Sequence, residues 1–269
     1  MKVYIGKVGI QPFAKEILLN NLRSMLNEDY VYYVVTPYSE FIVMAEENTE
    51  FYVSLDEADI SIADGVGILL AGLYLNNDIS LIKSLFYVLS RNPVLYKAFP
   101  EKISGSDLFI DILEIANEQK RKLYLVGGSE QVSNQSKIKI NKEYPSVELV
   151  GQYYNHIDKE DKNLFEEIYQ SKAEIIVLAI SPPKQEIFAK NLKNFLVSKN
   201  AKAVIFCFGG TLDFFVSKKV RAPIVFQKIG LEWLWRLIIE PSRIKRIYRA
   251  TVQYINLIRK YKKLSTYIK

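Results

Sequence analysis

Short apolar runs alternate with amphipathic segments along most of the chain, and each run stops at a turn-forming residue. The run Tyr30–Val35 is rich in β-branched and aromatic residues, which is typical of a β-strand. Five later runs share this pattern, and they predict strands at Ile60–Ala63, Lys122–Val126, Val147–Val150, Glu174–Ile180 and Ala203–Phe208. Because these runs are apolar at nearly every position, they favour a parallel sheet that is covered on both faces.

Amphipathic segments between these runs predict helices. They are Asp107–Gln119, preceded by the candidate N-cap Ser106, and then Glu130–Tyr144, Lys159–Ser171 and Lys184–Ser198. The alternation indicates an α/β fold with a Rossmann-like, mostly parallel sheet flanked by helices. Such sheets bind ligands beyond the carboxyl ends of their strands, so the residues just after each run are candidates for function.

The stretch Val66–Pro100 is apolar and carries few charges. One interpretation is a pair of buried helices, and the other is a flap beside an apolar ligand. The sequence leaves both interpretations open.

The last fifth of the chain predicts basic amphipathic helices, and Pro241 is expected to separate an earlier helix from a later one. Apolar positions recur at steps of three and four in the later helix, at Ile244, Ile247, Tyr248, Thr251, Ile255 and Ile258. We therefore expect an α/β domain over residues 1–216 and a basic helical appendage over residues 217–269. Such helices lie on anionic membrane surfaces or cover a neighbouring subunit of a homo-oligomer.

The distribution of charge supports this division. The chain has 36 Lys and Arg against 30 Asp and Glu, a net charge of +6. The appendage alone has fourteen basic and two acidic residues, a net of +12, so the rest of the chain has a net of −6. The appendage is therefore expected to meet an anionic partner, which could be nucleic acid, a membrane surface or a phosphate-bearing substrate.

Other features of the composition exclude several classes of protein. A single cysteine excludes a disulfide scaffold, and 49% hydrophobic residues exclude a disordered chain. Neither a signal-peptide pattern nor a run of about 18 uncharged apolar residues is visible, so we expect a cytoplasmic protein.

Candidate chemistry follows the predicted strands. Asp64 precedes Gly65 and Gly67, which would let a ligand approach closely, so its carboxylate could act as a general base. An aspartate in a turn or at a helix N-cap is the alternative. The sequence carries no Cys/His cluster for zinc and no Asp-x-Asp motif, which usually holds a divalent ion on a nucleotide-sugar.

Three further strand ends could hold phosphate. Lys184 and Gln185 open a helix, where free N–H groups and the helix dipole favour anions, although an ordinary turn is about equally compatible. The loops Gly127–Gly128 and Gly209–Gly210, the latter followed by Asp213, supply small residues for close approach. Neither loop matches a full dinucleotide-binding fingerprint.

These segments together resemble the WecG/TagA/CpsF family of bacterial glycosyltransferases. The resemblance rests on residues 34–37, 63–67, 104–108, 125–128 and 181–186, and most specifically on the block Gly209–Arg246. It extends from about Tyr32 to Arg246.

The resemblance implies inverting, metal-independent transfer of a sugar from a UDP-sugar to a polyprenyl-diphosphate-linked sugar, without a cofactor. It places the protein at the inner face of the cell membrane, in synthesis of teichoic acid, capsule, exopolysaccharide or common antigen. It also implies that Asp64 is the catalytic base. The donor- and nucleotide-binding candidates are Thr36, Gly127, Gly128, Lys184, Gln185, Gly209, Gly210 and Asp213. The diphosphate- and acceptor-binding candidates are Lys102, Arg221, Arg236, Arg243 and Arg246.

Two positions depart from the family pattern. Tyr38 stands where the family usually has asparagine, and Lys102 stands where it usually has arginine. Lysine keeps the positive charge but loses the bidentate fork of a guanidinium group. The stretch between Gly65 and Glu101 is also longer than expected, so the sequence leaves the donor sugar and the acceptor open.

Two other functions remain as alternatives. One is a Rossmann-like nucleotide-binding enzyme of another class, which would be expected to carry the missing fingerprint. The other is a non-enzymatic basic module that binds a membrane or nucleic acid, with strong salt dependence in the latter case. The Ile, Tyr and Trp content of the appendage argues against nucleic acid.

Overall fold

The computed structural model describes residues 2–90, 98–216, 223, 226 and 232–267. A short antiparallel pair, β1 (Val3–Ile5) and β2 (Val8–Ile10), precedes the main sheet. The main sheet of the described chain contains β3 (Val31–Val35), β4 (Ile60–Ser61), β5 (Lys122–Gly127), β6 (Glu148–Tyr153), β7 (Ile175–Ala179) and β8 (Ala203–Cys207). Its order is β4-β3-β8-β7-β5-β6, and every pairing is parallel. The predicted Rossmann-like α/β fold is confirmed.

Helices cover both faces of the sheet. They are α1 (Lys15–Met25), α2 (Ser39–Glu47), α3 (Thr49–Asp56), α4 (Val66–Asn76), α5 (Leu81–Leu89), α6 (Gly105–Gln119), α7 (Glu130–Glu143), α8 (Lys162–Ser171), α9 (Lys184–Ser198) and α10 (Thr211–Phe215). One apolar layer packs α2, α3, α4, α8 and α9 against the sheet, and the other packs α1, α6, α7 and α10. Because both faces are covered, the central strand β8 is buried at every position, as its sequence indicated.

Most predicted boundaries are close to the observed ones, and the differences have local causes. Helix α9 matches its prediction at both ends. Helix α6 begins at Gly105 with N-cap Ser104, so the prediction of Ser106 as N-cap is wrong. Helix α8 begins later than predicted because the Asp161 carboxylate accepts the Leu164 N–H at 3.0 Å.

Strand β6 continues past its predicted end because β5 pairs with it as far as Tyr153, across a register shift. A glycine at position 151 makes this possible. A Cβ added to Gly151 would lie only 2.2 Å from the ring of Tyr124 on the neighbouring strand.

Within residues 66–90, the apolar stretch after Asp64 forms two different helices. Helix α4 is buried from Ile68 to Leu73, as the interpretation of buried helices predicts. Helix α5 buries Ser84 and Val88 but leaves several large apolar side chains exposed. Between these two helices, the interpretation of buried helices therefore holds for α4 and not for α5, and residues 91–97 of the stretch lie outside the described residues.

The described part of the appendage is helical. It comprises α11 (Glu232–Ile239), a 3-10 turn at Pro241–Arg243, α12 (Ile244–Tyr248), a π-helical segment at Arg249–Gln253 and α13 (Tyr254–Tyr267). The break at Pro241 falls where the sequence predicted it. Tyr254 and Ile258 on α13 are fully buried in the layer that contains α2 and α4. Among the helices that the structure describes, none is both long and apolar enough to cross a membrane.

Candidate active site

The loops that follow the strands meet in a continuous row at the carboxyl edge of the sheet. The Gln185 Oε1 accepts the Gly209 N–H at 2.8 Å and the Ile180 N–H at 3.2 Å, which joins the loops after β7 and β8. The Thr36 hydroxyl donates to the Cys207 carbonyl at 3.1 Å, which joins the ends of β3 and β8. The parallel topology thus brings candidates from distant parts of the sequence together.

The loop after β5 requires glycine. Gly127 has φ +107°, and a Cβ there would lie 2.4 Å from the Ala179 carbonyl oxygen. Gly128 also has a positive φ, and a Cβ there would lie 3.7 Å from the Leu212 side chain, beside Gly209 and Gly210. These glycines therefore let neighbouring loops approach closely, and their contact with a nucleotide phosphate stays a prediction.

Gln185 is 2% exposed, and both ends of its amide are engaged. Its oxygen holds the two backbone N–H groups described above, and its Nε2 donates to the Glu186 carboxylate at 2.8 Å. This geometry gives Gln185 a positioning role between two loops. A direct contact with the donor stays a prediction.

Glu186 is fully buried next to Gln185, and its Oε2 has no hydrogen-bond partner among the residues that the structure describes. Burial raises the pKa of Glu186 to about 7. Burial also raises the pKa of the Cys207 thiol, and nearby Glu186 adds to the effect. Burial of a carboxyl group favours its neutral, protonated form over the charged carboxylate.

Asp64 lies at the corner formed by β3, β4 and α6. Its N–H donates to the Pro37 carbonyl at 3.1 Å, and its side chain is partly buried. The Ile103 N–H donates to the Ala63 carbonyl at 3.1 Å, which brings neighbouring Lys102 to this corner. A Cβ on Gly105 would lie 3.5 Å from the Thr36 Oγ1, so α6 begins directly beside Thr36. The structure therefore brings Thr36, Asp64 and Lys102 together.

The appendage reaches the same corner through Tyr38 and Glu40. The Tyr38 hydroxyl donates to the Glu40 Oε2 at 2.5 Å and accepts from the Arg246 Nη2 at 2.6 Å. The Arg246 Nε donates to the same carboxylate at 3.1 Å, and Arg249 Nη1 contacts its other oxygen at 3.4 Å. The Cβ of Tyr38 is 3.9 Å from the position of a Cβ on Gly65, next to Asp64.

Glu40 and Arg246 form an ion pair in which the carboxylate is buried and the guanidinium is partly exposed. Glu40 is 3% exposed, whereas about 38% of the Arg246 side chain remains exposed. Burial raises the pKa of the Tyr38 phenol well above its usual range, with Arg246 opposing the shift. Burial alone would lower the pKa of Arg246, but Tyr38 and Glu40 overcome that effect and raise it. Arg246 is therefore a fixed cation beside the Asp64 corner.

Two further contacts fix α13 against α4. The hydroxyl of buried Tyr254 donates to the Gly67 carbonyl at 2.9 Å. The Lys262 ammonium donates to the Asn77 carbonyl at 2.7 Å, at the end of α4. The appendage therefore contacts both ends of the helix that follows Asp64.

The remaining candidates occupy different places. Lys184 is partly buried at the start of α9, and Asp213 lies near Gly210 on α10. Arg243 pairs with Glu240 within the appendage. The last two candidates are Arg221, which lies outside the described residues, and Arg236, which is on α11 with its side chain outside the described part.

Glu40 and Arg249 were missed by the sequence reasoning, and Tyr38 was noticed only as a departure. A signal was present, because Glu40 begins an otherwise apolar segment, Phe41–Ala45, which is buried. A carboxylate in such a segment needs a cation, and the basic appendage supplies one. The sequence could not indicate which of its fourteen basic residues would do so.

The arrangement gathers groups that favour an anionic ligand. The row contains a carboxylate at Asp64, cations at Lys102 and Arg246, and the amino ends of α6, α7 and α9, where helix dipoles favour anions. A cavity of about 670 Å3 opens at the other end of the strands, beside Tyr30 and Ala203, and is not part of this row.

The family comparison agrees with the α/β fold. Residues 76–267, more than two thirds of the chain, match the family model of the glycosyl transferase WecG/TagA/CpsF family. The match begins after Thr36, Tyr38 and Asp64, and it extends beyond Arg246 to include α13. The Ile103 N–H bond to Ala63 and the Arg246 bond to Tyr38 join the matched segment to the earlier residues. The chain therefore belongs to the WecG/TagA/CpsF family of glycosyl transferases.

Proposed function

We propose that this glycosyltransferase moves a sugar from a UDP-sugar to a polyprenyl-diphosphate-linked sugar, with inversion and without a metal ion. The product would enter a cell-surface polysaccharide such as teichoic acid, capsule, exopolysaccharide or common antigen. The observation that supports the proposal is that backbone contacts bring the segments of Thr36, Asp64 and Lys102 to one corner, where Arg246 of the appendage binds Tyr38.

The proposed step is a single displacement. The Asp64 carboxylate takes the proton from an acceptor hydroxyl, and the resulting oxygen attacks the anomeric carbon of the donor. The bond from that carbon to the UDP oxygen breaks, and UDP leaves with the electron pair. The amino ends of α7 and α9 and the nearby cations would stabilise the negative charge on the leaving diphosphate.

The appendage is proposed to hold the enzyme on the cytoplasmic face of the membrane. Its described residues expose six large apolar side chains, which are Ile238, Ile239, Ile244, Tyr248, Val252 and Leu264. Basic residues lie between them and would meet anionic headgroups. The division of the chain at residue 216 belongs to this proposal.

The test is a UDP-release assay over a panel of UDP-sugars with a lipid-diphosphate-sugar acceptor. Asp64→Asn should lower turnover about 10²–10⁴-fold, because general-base catalysis contributes that much. Asp158→Asn is the matched control. Asp158 is exposed, pairs with neighbouring His156, and lies far from Asp64 along the chain. Near-wild-type turnover of Asp64→Asn would refute the role of Asp64, and no UDP release with any donor would refute the proposed reaction.

A further inference from the structure

Helix α5 directs its more apolar side away from the protein. Its exposed face contains four large side chains, Ile82, Leu85, Phe86 and Leu89. Their spacing places them on one side of the helix, and Ile82 is 82% and Phe86 63% exposed. The buried side contains Ser84 and Val88, and the Ser84 hydroxyl donates to the Ser80 carbonyl. Leu81 and Tyr87 are partly buried on the packed side, so α5 is apolar on both sides, whereas a surface helix usually turns a polar side to solvent.

Exposed apolar side chains are concentrated in two parts of the molecule. Of fifteen large exposed hydrophobic side chains among the described residues, four lie on α5 and six lie in the appendage. A contiguous apolar surface of this kind marks a place where the protein meets another apolar phase. Helix α5 and the appendage are therefore the surfaces to consider together.

The two surfaces are close in space, and the helix beside α5 is basic. Lys262 on α13 donates to the Asn77 carbonyl, and Leu81 follows four residues later, so the start of α5 lies within about 14 Å of that carbonyl. Helix α13 has four basic residues and no acidic one. Residues 78–90 contain two charged residues, Asp78 and Lys83, which are both exposed, so this segment is close to neutral. An apolar helix with cations around it complements an anionic lipid surface.

A second copy of the chain is a poorer match to this face. A helix of nine residues is about 13.5 Å long, so its exposed side covers far less than the roughly 800 Å2 per partner that a stable interface buries. A lipid surface sets no such minimum, since a few apolar side chains among cations are sufficient for reversible binding.

We propose that α5 is a membrane-docking helix, which lies in the plane of an anionic bilayer and buries its exposed face at the boundary of headgroups and acyl chains. The cations of α13 meet the headgroups beside it. This inference rests on the proposed function, because it assumes an enzyme that works at a membrane. It gives the protein two anchors, which are the basic appendage and an apolar helix of the catalytic body.

The test uses a fluorophore placed on α5 of the full-length protein. The natural Cys207 is buried, so Leu85→Cys directs a thiol-reactive, environment-sensitive label to this helix. Ile138→Cys is the matched control, because Ile138 is exposed on α7, which packs near β6 at the other edge of the sheet. Vesicles of equal phosphatidylglycerol and phosphatidylcholine should shift emission of the label at position 85 to the blue, and leave the control label unchanged.

A second measurement compares binding strength. The double substitution Ile82→Ser and Phe86→Ser should lower the partition constant onto the same vesicles by at least about tenfold, whereas Ile138→Ser should not change it. Sugar transfer to a short-chain, water-soluble acceptor should be equal in the double variant and the wild type.

Two results would overturn the inference. One is cosedimentation of the protein with vesicles while emission from position 85 stays unchanged. The other is a blue shift that occurs without vesicles and grows with protein concentration, while light scattering detects a dimer. This result would assign the exposed face of α5 to contact with a second copy of the chain. Failure of the proposed function is distinguishable, because it would appear as missing sugar transfer in the wild type and leave the vesicle results intact.

Discussion

The pair formed by Glu40 and Arg246 should be a main energetic link between the appendage and the catalytic body. A double-mutant cycle with Glu40→Gln and Arg246→Met measures this link. Both substitutions preserve side-chain size while removing charge. Glu40 is almost fully buried, and it accepts hydrogen bonds from Arg246 at 3.1 Å and from Tyr38 at 2.5 Å.

The expected coupling lies between two limits. Breaking a fully buried ion pair costs about 3–5 kcal/mol, and an exposed pair contributes about 0–1 kcal/mol. Here the carboxylate is buried, but the guanidinium is partly exposed, and Arg249 still contacts the carboxylate at 3.4 Å after Arg246 is removed. We therefore expect a coupling free energy of about 1–3 kcal/mol.

Urea unfolding of the four proteins gives the coupling, and limited proteolysis of the appendage gives an independent readout. Cleavage of the appendage should be faster in Arg246→Met because local opening becomes easier. The control cycle uses Lys159 and Glu50, which are 2.8 Å apart but both about half exposed, and should show almost no coupling. A value for Glu40 and Arg246 no larger than that of the control would refute the reasoning.

Three further predictions concern stability. Gly127→Ala should destabilise the protein by at least about 2 kcal/mol in urea unfolding, because of its positive φ and the 2.4 Å approach to a carbonyl, whereas exposed Gly210→Ala should be nearly neutral. Burial raises the pKa of Glu186 to about 7, so the folded protein retains a proton that the unfolded chain loses above about pH 4.5. The free energy of unfolding should therefore fall as pH rises from about 4.5 to about 7. Glu186→Gln should remove up to about 3 kcal/mol of this fall, as measured by urea unfolding at pH 5 and pH 8. An equal change in unfolding free energy between these pH values in the variant and the wild type would contradict this. Tyr254→Phe should cost about 1 kcal/mol, since it removes the hydrogen bond to the Gly67 carbonyl, and an unchanged unfolding midpoint would argue against that contribution.

The strands and the helices were predictable because they depend on local patterns. Runs of apolar residues gave the positions of β3, β5, β7 and β8, and the double proline preceded α9 as expected. The rule that ligands bind at the carboxyl ends of parallel strands then directed attention to Asp64 and Gln185. The prediction of Ser106 as an N-cap was wrong, because the helix begins two residues earlier than its apolar pattern indicated, with Ser104 as the N-cap.

The sequence did not indicate which basic residue pairs with which acidic residue. Glu40 and Arg246 are separated by 206 positions, and the pattern of either segment is the same whatever partner it has. The orientation of α5 was equally hidden, because periodicity shows that a helix has an apolar side but does not show which way that side faces.

The sequence alone therefore determined the α/β fold, the family resemblance, the strand-end candidates and the basic character of the appendage, since these follow from short-range periodicity, motif order and charge. Only the tertiary structure decided that the appendage docks beside Asp64 through Tyr38 and Glu40, that Gln185 joins two loops, and that α5 presents its apolar side to solvent. These features depend on contacts between residues far apart in the chain, where burial and geometry select one pairing from many that the sequence allows.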